Sequence, residues 1–466
     1  MAVRHQTRGP VDTDPRYRAL LEARAAQERQ AARGTAAWSR DDATGLPREP
    51  LRIPELILGA LLAMEAFGVR LGPLGVPLNE AAMLLLLFLA LCRRSRRDTS
   101  ALGLSAVLAG AVMVFLAVVS VNQGIPDMEW LRRWVRIAAL VGLVGCIAGG
   151  RLDLRSVLTG LLAAMAANVP LFYAGVVPAP YGSFLTGFLA DKNVAGLYYA
   201  AMPVLALAVV RSRRWKLAIL LAAAVCLFLT GSRTSMAGFG VALVWLAVTP
   251  RLAAGPRLVL LVVLGWAVGF AEENLSRLEV FGDRTGTDWL RGTIQAATEA
   301  KAATTPWHGR GLTEAHVTIG RDTWLYHDSY AGLFTEGGVV LLVAVLGAYA
   351  FFGLRLFSTR LRTPSRVAVE AAAAVVFVTA TQLGEVFITI PGMLIVAAGV
   401  SLWLRERDAP LESEVRERRR RQVLAAQGHR RAQPGRVGDE GRAEEVDDRG
   451  EVDGEKAGLE RDRDRA

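Results

Sequence analysis

The chain contains few of the residues that build disulfides and metal sites. Its 466 residues include three cysteines and five histidines. Cys92, Cys146 and Cys226 all fall within apolar blocks, and no cysteine lies in the long polar loop. This placement and the odd number of cysteines argue against a disulfide framework. Residues 51–405 contain no DxD or HExxH sequence and no acidic cluster with metal-ligand spacing. We therefore expect no metal site and no cofactor.

Long polar stretches are also scarce between residues 51 and 405. Hydrophobic residues make up 52% of the chain. They form blocks of about 17–25 residues, the length that crosses about 30 Å of hydrocarbon, whereas buried helices of a soluble protein need only about 10–14. About 50 polar residues precede the first block, so we expect no signal peptide. The pattern predicts an all-α integral membrane protein.

The apolar blocks predict about twelve transmembrane helices. They lie at roughly 53–70, 74–92, 101–121, 131–150, 156–176, 193–210, 217–231, 234–250, 257–271, 330–353, 366–385 and 388–404. Every second connection is basic, at Arg93–Arg97, Arg151–Arg155, Arg211–Lys216, Arg251–Arg257 and Arg355–Arg366. The positive-inside rule places these connections and both termini in the cytoplasm.

Three regions follow from this topology. Residues 1–50 are predicted to be a cytoplasmic N-terminal segment, and residues 51–405 a polytopic membrane domain. Residues 406–466 carry mixed charge, including Arg416–Arg421, and no aromatic residue. They are predicted to be a cytoplasmic tail with a short helix near 411–427 that is otherwise disordered, because it cannot bury enough apolar surface to fold.

The largest predicted outer loop, about residues 272–327, connects spans nine and ten. It holds three of the five histidines: His308, His316 and His327. A helix that starts at Thr287 or Asp288 and runs through Lys301 would place Arg291, Gln295 and Thr298 on one face. The loop is predicted to be either a solvated domain or an anion-binding cap.

Shorter outer connections also carry cations. Arg233 lies between spans seven and eight, and an arginine near hydrocarbon either snorkels or meets a partner. Lys192 and Asn193 open span six. Arg132 and Arg136 share a helical face at the outer start of span four, where they could bind lipid phosphate or a phosphorylated substrate.

Three stretches together resemble the O-antigen ligase and polymerase superfamily of bacterial membrane glycosyltransferases. They are "GFLADKNVAGLYYAAMPVLAL", "LTGSRTS" and "PWHGRGLTEAHVTIGRDTWLYHDSYAGLFTEGGVVLLV". Their order, the large outer loop between the second and third, and the twelve predicted spans agree with that family over residues 50–405. The resemblance implies a GT-C-like fold in the bacterial cytoplasmic membrane. It also implies transfer of a glycan from an undecaprenyl-diphosphate carrier to an acceptor hydroxyl at the outer face, without a metal.

The resemblance also implies roles for single residues. His327 would be the catalytic base, and Arg233 and Arg291 would bind the diphosphate. Supporting positions are Lys192, Asn193, Asp328, Tyr330, Glu336, Arg132 and Arg136. Asp328 departs from the family, which usually has asparagine there, and a carboxylate beside His327 is expected to raise the pKa of the imidazole and to orient the ring.

The choice between polymerase and ligase stays open. The Ala-, Arg- and Gly-rich composition suggests a GC-rich bacterial genome and favours assembly of capsule, exopolysaccharide or wall glycan. Expected partners are the carrier-linked donor, a glycan or other hydroxyl acceptor, membrane lipid and other envelope-assembly proteins, but not nucleic acid. The alternatives are a multispan transporter of a small anion or glycan precursor, although no repeated halves with midplane charges are visible, and a non-catalytic scaffold.

Overall fold

The computed structural model describes residues 46, 50–71, 74–124, 127–275, 285–356 and 363–408. The structure is mostly helical, at 71%. The chain divides into two units, Met1–Pro410 and Leu411–Ala466. The predicted N-terminal segment up to residue 45 and the predicted tail from residue 409, with its helix near 411–427, lie outside the described residues.

Thirteen helices and four short strands make up the described part of the chain. In chain order they are α1 (Ile53–Leu61), β1 (Gly68–Leu71), β2 (Leu74–Pro77), α2 (Leu78–Leu91), α3 (Gly103–Asn122), α4 (Asp127–Ala148), α5 (Leu154–Tyr173), α6 (Lys192–Ala206), α7 (Arg213–Thr230), α8 (Arg233–Val248), α9 (Ala254–Leu275), α10 (Thr285–Ala303), β3 (His316–Ile319), β4 (Asp322–Leu325), α11 (Ser329–Ala348), α12 (Pro364–Thr379) and α13 (390–408). Each predicted span contains one of these helices.

The structure departs from the all-α prediction at two places, where β1 pairs with β2 and β3 pairs with β4 in short antiparallel hairpins. The first predicted span, 53–70, is helical only as far as Leu61. Its remaining residues lead into the β1–β2 hairpin, in which Val69 is opposite Val76 in register, and β-branched residues favour extended backbone. The second hairpin lies in the predicted outer loop, with His316 opposite Leu325.

Three helices in the described ranges are long and apolar enough to cross a membrane: Ser100–Asn122, Leu154–Tyr173 and Ser329–Gly353. Three shorter apolar helices are Leu78–Leu91, Arg233–Val248 and Gly255–Phe270. By length and composition the predicted count of twelve is therefore not reached. The physical reason is that many of the helices are short, and others carry charges, as α4 does with Arg132, Arg133 and Arg136.

Apolar side chains cover the outside of several helices. On α3 only 17% of the most apolar window is buried, and Leu104, Val107, Leu108, Val114 and Val118 are exposed. Exposed apolar faces of this extent do not suit contact with water. A helix that satisfies its own backbone hydrogen bonds can present such a face to lipid.

Buried ion pairs hold one set of helix ends together. Glu55 of α1 is fully buried and pairs with Arg52 (3.2 Å) and with Arg93 beyond α2. Arg366 of α12 is fully buried and pairs with Glu406 of α13 at 3.1 Å. Arg93 and Arg366 belong to the basic connections from which the cytoplasmic side was predicted. These side chains therefore also stabilise the packing of the helix ends.

The other ends of several helices meet around one cavity. The Ser329 N–H, at the start of α11, donates to the Ala380 carbonyl just beyond α12 (2.9 Å), and its hydroxyl donates to the Leu383 carbonyl (2.6 Å). The Leu185 N–H donates to the Leu229 carbonyl (2.9 Å), which joins the approach to α6 to the end of α7. These contacts position the candidate site.

Candidate functional site

The cavity measures about 540 Å³, within the range of pockets that bind small molecules. Its walls come from the β2–α2 junction, the middle of α4, the first turns of α6, the segment before α11 and the connection between α12 and α13. Three of the predicted site residues line it: Arg136, Asn193 and His327. Arg233, Arg291, Lys192, Asp328, Tyr330, Glu336 and Arg132 do not.

His327 is half-buried at the cavity wall, directly before α11. The preceding Tyr326 is only 1% exposed and packs with Ile294 of α10 and Val317 of β3, which fixes the backbone at this point. Burial lowers the pKa of the imidazole from its ordinary value, and the charge of Arg291 lowers it further. A histidine with a lowered pKa is neutral at neutral pH and can accept a proton.

The prediction that Asp328 raises the pKa of His327 is wrong. The pKa of His327 is lowered, and the carboxylate that opposes this shift belongs to Asp191. Asp328 is the N-cap of α11, because one of its oxygens accepts from the N–H groups of Tyr330 (2.8 Å) and Ala331 (3.1 Å). Burial raises the pKa of Asp328, and these two hydrogen bonds oppose that change.

Asp191 is the corresponding N-cap of α6 and also lines the cavity. One oxygen accepts from the N–H groups of Asn193 (2.7 Å) and Val194 (3.2 Å), and the other accepts from the Tyr181 hydroxyl (2.5 Å). The hydrogen bond to Asp191 raises the pKa of Tyr181 to about 12. Both carboxylate oxygens are therefore fixed. The neighbouring Lys192 places its ammonium 5.7 Å from the centre of the Tyr181 ring.

Arg233 is half-buried in the first turn of α8 and lies outside the cavity lining. The start of α8 touches α6 at Gly196, where a Cβ would lie 2.5 Å from the Ser235 hydroxyl. This close approach puts the first turn of α8 beside the first turns of α6, whose residues Asn193 and Val194 line the cavity.

Arg291 is exposed on α10, which forms where the sequence predicted a loop helix. Its charge lowers the pKa of His327, although Arg291 does not line the cavity. Arg291, Gln295 and Thr298 share a face of this helix, as predicted, but their exposure differs along it. Thr298 is 1% exposed, whereas Arg291 is exposed and the Gln295 amide donates to Glu299 at 3.0 Å.

The α4 arginines are bound by carboxylates. Arg136 pairs with Glu385 at 2.6 Å and lies 3.9 Å from Glu80. Arg132 lies 3.6 Å from Glu80, so Arg132 and Arg136 share a face as predicted. With these partners, Arg136 contributes to the shape of the cavity and is not left with its charge facing an empty space.

Glu336 pairs with Arg133, the neighbour of Arg132. Its two oxygens lie 2.6 and 2.7 Å from two guanidinium nitrogens of Arg133, and the carboxylate is 2% exposed. The same arginine reaches Glu385 at 3.1 Å, and the Glu336 carboxylate also accepts from the Thr313 N–H at 3.0 Å. A buried two-point pair of this kind holds α4, α11 and the outer segment in one arrangement.

Helix α11 is interrupted directly after Glu336. Gly338 has φ 60° and ψ −155°, a conformation that essentially only glycine adopts. Residues 307–311 of the outer segment fill the break, because the Val339 N–H donates to the Trp307 carbonyl (2.8 Å) and the Gly311 N–H donates to the Glu336 carbonyl (3.0 Å). The outer segment is thereby docked onto the helix through its backbone.

Tyr330 joins α11 to α12 and does not line the cavity. Its hydroxyl donates to the Phe377 carbonyl at 2.8 Å, and its ring lies edge-on to Phe387 at 5.3 Å. The contact supports the start of α11, three residues from His327.

Three residues at the candidate site were not predicted as its members: Asp191 and Glu385, which line the cavity, and Arg133, which pairs with Glu385. An aspartate directly before an apolar block is the sequence signature of an N-cap, which marks Asp191. Glu385 lies inside a predicted span, and an ionisable residue there needs a partner. The pairing of Glu385 with two arginines some 250 positions earlier has no local sequence signal.

No protein-family model matches the chain, and no curated protein or solved structure gives a significant match. Within the described residues there is no group of three or more His, Cys, Asp or Glu side chains that could hold a metal ion. The functional assignment therefore depends on the geometry of the cavity and on the resemblance of the three sequence stretches.

Proposed function

We propose that the protein is a polytopic membrane glycosyltransferase similar to O-antigen ligases and polymerases, with its helices in a GT-C-like arrangement. It moves a glycan from an undecaprenyl-diphosphate carrier to an acceptor hydroxyl, for assembly of capsule, exopolysaccharide or wall glycan. The observation that carries the proposal is His327, a half-buried imidazole with a lowered pKa at the wall of a cavity where apolar helices end.

The proposed reaction is a single displacement. Neutral His327 takes the proton of the acceptor hydroxyl, and the hydroxyl oxygen forms a bond to the anomeric carbon of the donor. The bond from that carbon to the diphosphate oxygen breaks, and its electron pair stays on the diphosphate. Arg291 and Arg233 stabilise the charge that develops there. One in-line displacement inverts the anomeric configuration.

The environment of each cation supports this division of tasks. Arg291 is exposed and its charge acts on His327, so it can meet a lipid-linked diphosphate at the headgroup level. Arg233 lies in the first turn of α8, next to the first turns of α6. Arg136 already pairs with Glu385, so we assign it to the cavity wall and not to the diphosphate.

The proposed orientation puts the cavity at the outer face and both termini in the cytoplasm of a bacterial cell. The distribution of basic residues supports this orientation. The helix ends that surround the cavity lack basic clusters, with the exception of α4. The opposite ends carry Arg93, Arg257 and Arg366, which belong to basic connections.

One observation favours a transporter instead. Broken helices near a binding site are typical of secondary transporters, and α11 is broken at Gly338. In this chain, however, the break is filled by the backbone of residues 307–311. A substrate therefore has no access to the freed backbone groups, and transport remains the second candidate.

The proposal is tested by genetic complementation. The gene is deleted, the envelope polysaccharide is separated on gels, and variants are expressed at matched membrane levels. We expect that His327→Ala and Arg291→Ala fail to restore long-chain or attached glycan and that carrier-linked units accumulate. The matched controls His308→Ala and Arg321→Ala restore it. Restoration by the His327 and Arg291 variants would contradict the proposal and favour transport or scaffolding.

A further inference from the structure

Residues 307–311 lie beside the middle of α11 and not at its start. The Val339 N–H donates to the Trp307 carbonyl at 2.8 Å. Val339 precedes Arg355, in the basic connection that follows α11, by sixteen residues. At 1.5 Å per residue, the Trp307 backbone therefore lies about 24 Å from the basic end of the helix. This distance is shorter than the hydrocarbon core of a bilayer, which is about 30 Å thick.

Helix α3 gives the same level. A Cβ at Gly337 of α11 would lie 2.7 Å from the Leu116 side chain of α3. Leu116 follows Ser100, close to the basic connection Arg93–Arg97, by sixteen residues, which is again about 24 Å. Both helices belong to segments that are long and apolar enough to cross a membrane. They place residues 307–311 at the depth of the bilayer half opposite the basic connections.

The backbone of this turn suits such a depth. The N–H groups of Gly309, Arg310 and Gly311 donate to backbone carbonyls at 2.9, 2.7 and 3.0 Å, and both glycines are buried. The Arg310 guanidinium donates to Thr304 and Thr305 at the end of α10, so its charge has polar partners within the protein. Non-helical backbone is tolerated at membrane depth where it is buried in protein, because hydrocarbon offers no hydrogen bonds.

The Trp307 side chain, by contrast, is 66% exposed. Exposed apolar side chains lie at the same level on both neighbouring helices, at Val339 and Val343 of α11 and at Val118 of α3. Tryptophan is enriched where hydrocarbon meets the headgroups, because its ring is apolar and its N–H can reach a polar partner. An exposed indole at this depth, continuous with apolar helix faces, fits lipid better than water.

We propose that Trp307 anchors the outer segment in the bilayer. Residues 307–311 form a re-entrant turn beside α11, and the exposed indole lies among lipids near the edge of the hydrocarbon opposite the basic connections. Because the same residues fill the break after Glu336, the anchor sets the depth at which the outer segment docks. The inference rests on the membrane embedding in the proposed function and not on glycan transfer.

The test measures the depth of single tryptophans in the full-length protein, labelled with 5-fluorotryptophan in phosphatidylcholine nanodiscs. The Trp307 fluorine resonance is assigned by its loss in Trp307→Phe and, independently, in Trp307→Leu. Relaxation is measured with 5-doxyl phosphatidylcholine, which carries a nitroxide in the lipid, and with a gadolinium chelate in the water. Trp266, exposed on the apolar helix α9, is the lipid reference.

Trp289 is the matched control. It is 71% exposed on α10, a helix whose Ile294 packs on Tyr326, beyond the start of α11. We expect the nitroxide lipid to relax Trp307 about as strongly as Trp266 and about threefold or more strongly than Trp289. The gadolinium chelate is expected to give the opposite order for Trp307 and Trp289. Equal nitroxide effects on these two residues, or an equal effect of the chelate on both, would overturn the anchor.

Failure of the proposed function gives a different result. If Trp266 also fails to respond to the nitroxide lipid, the chain is not embedded as proposed, and the anchor falls with the embedding. If Trp266 responds and Trp307 does not, only the anchor falls. A protein with the expected responses that transfers no glycan keeps the anchor and loses the glycosyltransferase proposal.

Discussion

Replacing Gly338 by alanine is expected to detach the outer segment from α11. Gly338 has φ 60° and ψ −155°, and a Cβ at this position would lie 1.9 Å from the Trp307 carbonyl oxygen and 2.6 Å from the Gly309 nitrogen. Both neighbours are backbone atoms that belong to the docked segment. These atoms can move away from the added Cβ only if the Val339 N–H loses its hydrogen bond to the Trp307 carbonyl.

The size of the effect follows from these contacts. An alanine in a conformation reserved for glycine costs about 1–3 kcal/mol. Losing the three docking hydrogen bonds, from the N–H groups of Val339, Arg310 and Gly311, costs about 1 kcal/mol each. The docked state is therefore expected to weaken by about 4–6 kcal/mol. Gly347, in the same helix, has open space around its Cβ position, so the matched control Gly347→Ala is neutral or stabilises by up to about 1 kcal/mol.

Hydrogen exchange on the protein in nanodiscs measures docking directly. In Gly338→Ala the amides of Arg310 and Gly311, which donate to the Thr335 and Glu336 carbonyls, are expected to exchange at least a hundredfold faster than in wild type. Wild-type protection in Gly338→Ala would refute the argument that the backbone contacts hold this segment, as would an equal loss of protection in Gly347→Ala.

Two further predictions concern the site and the fold. Asp191→Asn removes the charge that raises the pKa of His327, so this pKa falls and the acid limb of the pH–rate profile moves to lower pH, because the neutral imidazole is the active base and dominates above its pKa. The control Asp328→Asn, which likewise keeps a residue able to cap a helix, is expected to leave the acid limb in place. NMR titration of His327 measures its pKa in both variants, and equal pKa changes in the two would contradict the assignment to Asp191. Glu406→Gln leaves the fully buried Arg366 with a neutral partner and is expected to lower the free energy of unfolding by about 3–5 kcal/mol. Thermal unfolding in detergent then occurs at a lower temperature than in wild type. An unchanged midpoint temperature would show that the pair is dispensable.

Local sequence signals predicted the helices well. Each apolar block contains a helix. The loop helix α10 begins at Thr285, two residues before the expected Thr287, and runs through Lys301 as expected. Such helices can be predicted because apolar length and capping residues are properties of consecutive residues. The same rules did not foresee the hairpin of His316–Ile319 with Asp322–Leu325, since four-residue strands leave too little pattern to recognise.

The site was predictable only in part. His327 borders the cavity, but the carboxylate of the adjacent Asp328 accepts from the backbone of α11. The carboxylate that affects the pKa of the imidazole belongs to Asp191, which is distant in sequence. Sequence spacing indicates which residues share a helix face, as it did for Arg132 and Arg136. It does not indicate which carboxylate on another helix binds them, because such pairs depend on tertiary packing.

The central claim is that His327 activates a hydroxyl for glycan transfer. It is tested most directly with purified protein in liposomes, a synthetic labelled undecaprenyl-diphosphate glycan and a hydroxyl acceptor. We predict that the wild type forms a product of inverted configuration, that His327→Ala slows transfer about a hundredfold or more, and that His316→Ala keeps the wild-type rate. Equal rates for wild type and His327→Ala, or a product of retained configuration, would contradict the account.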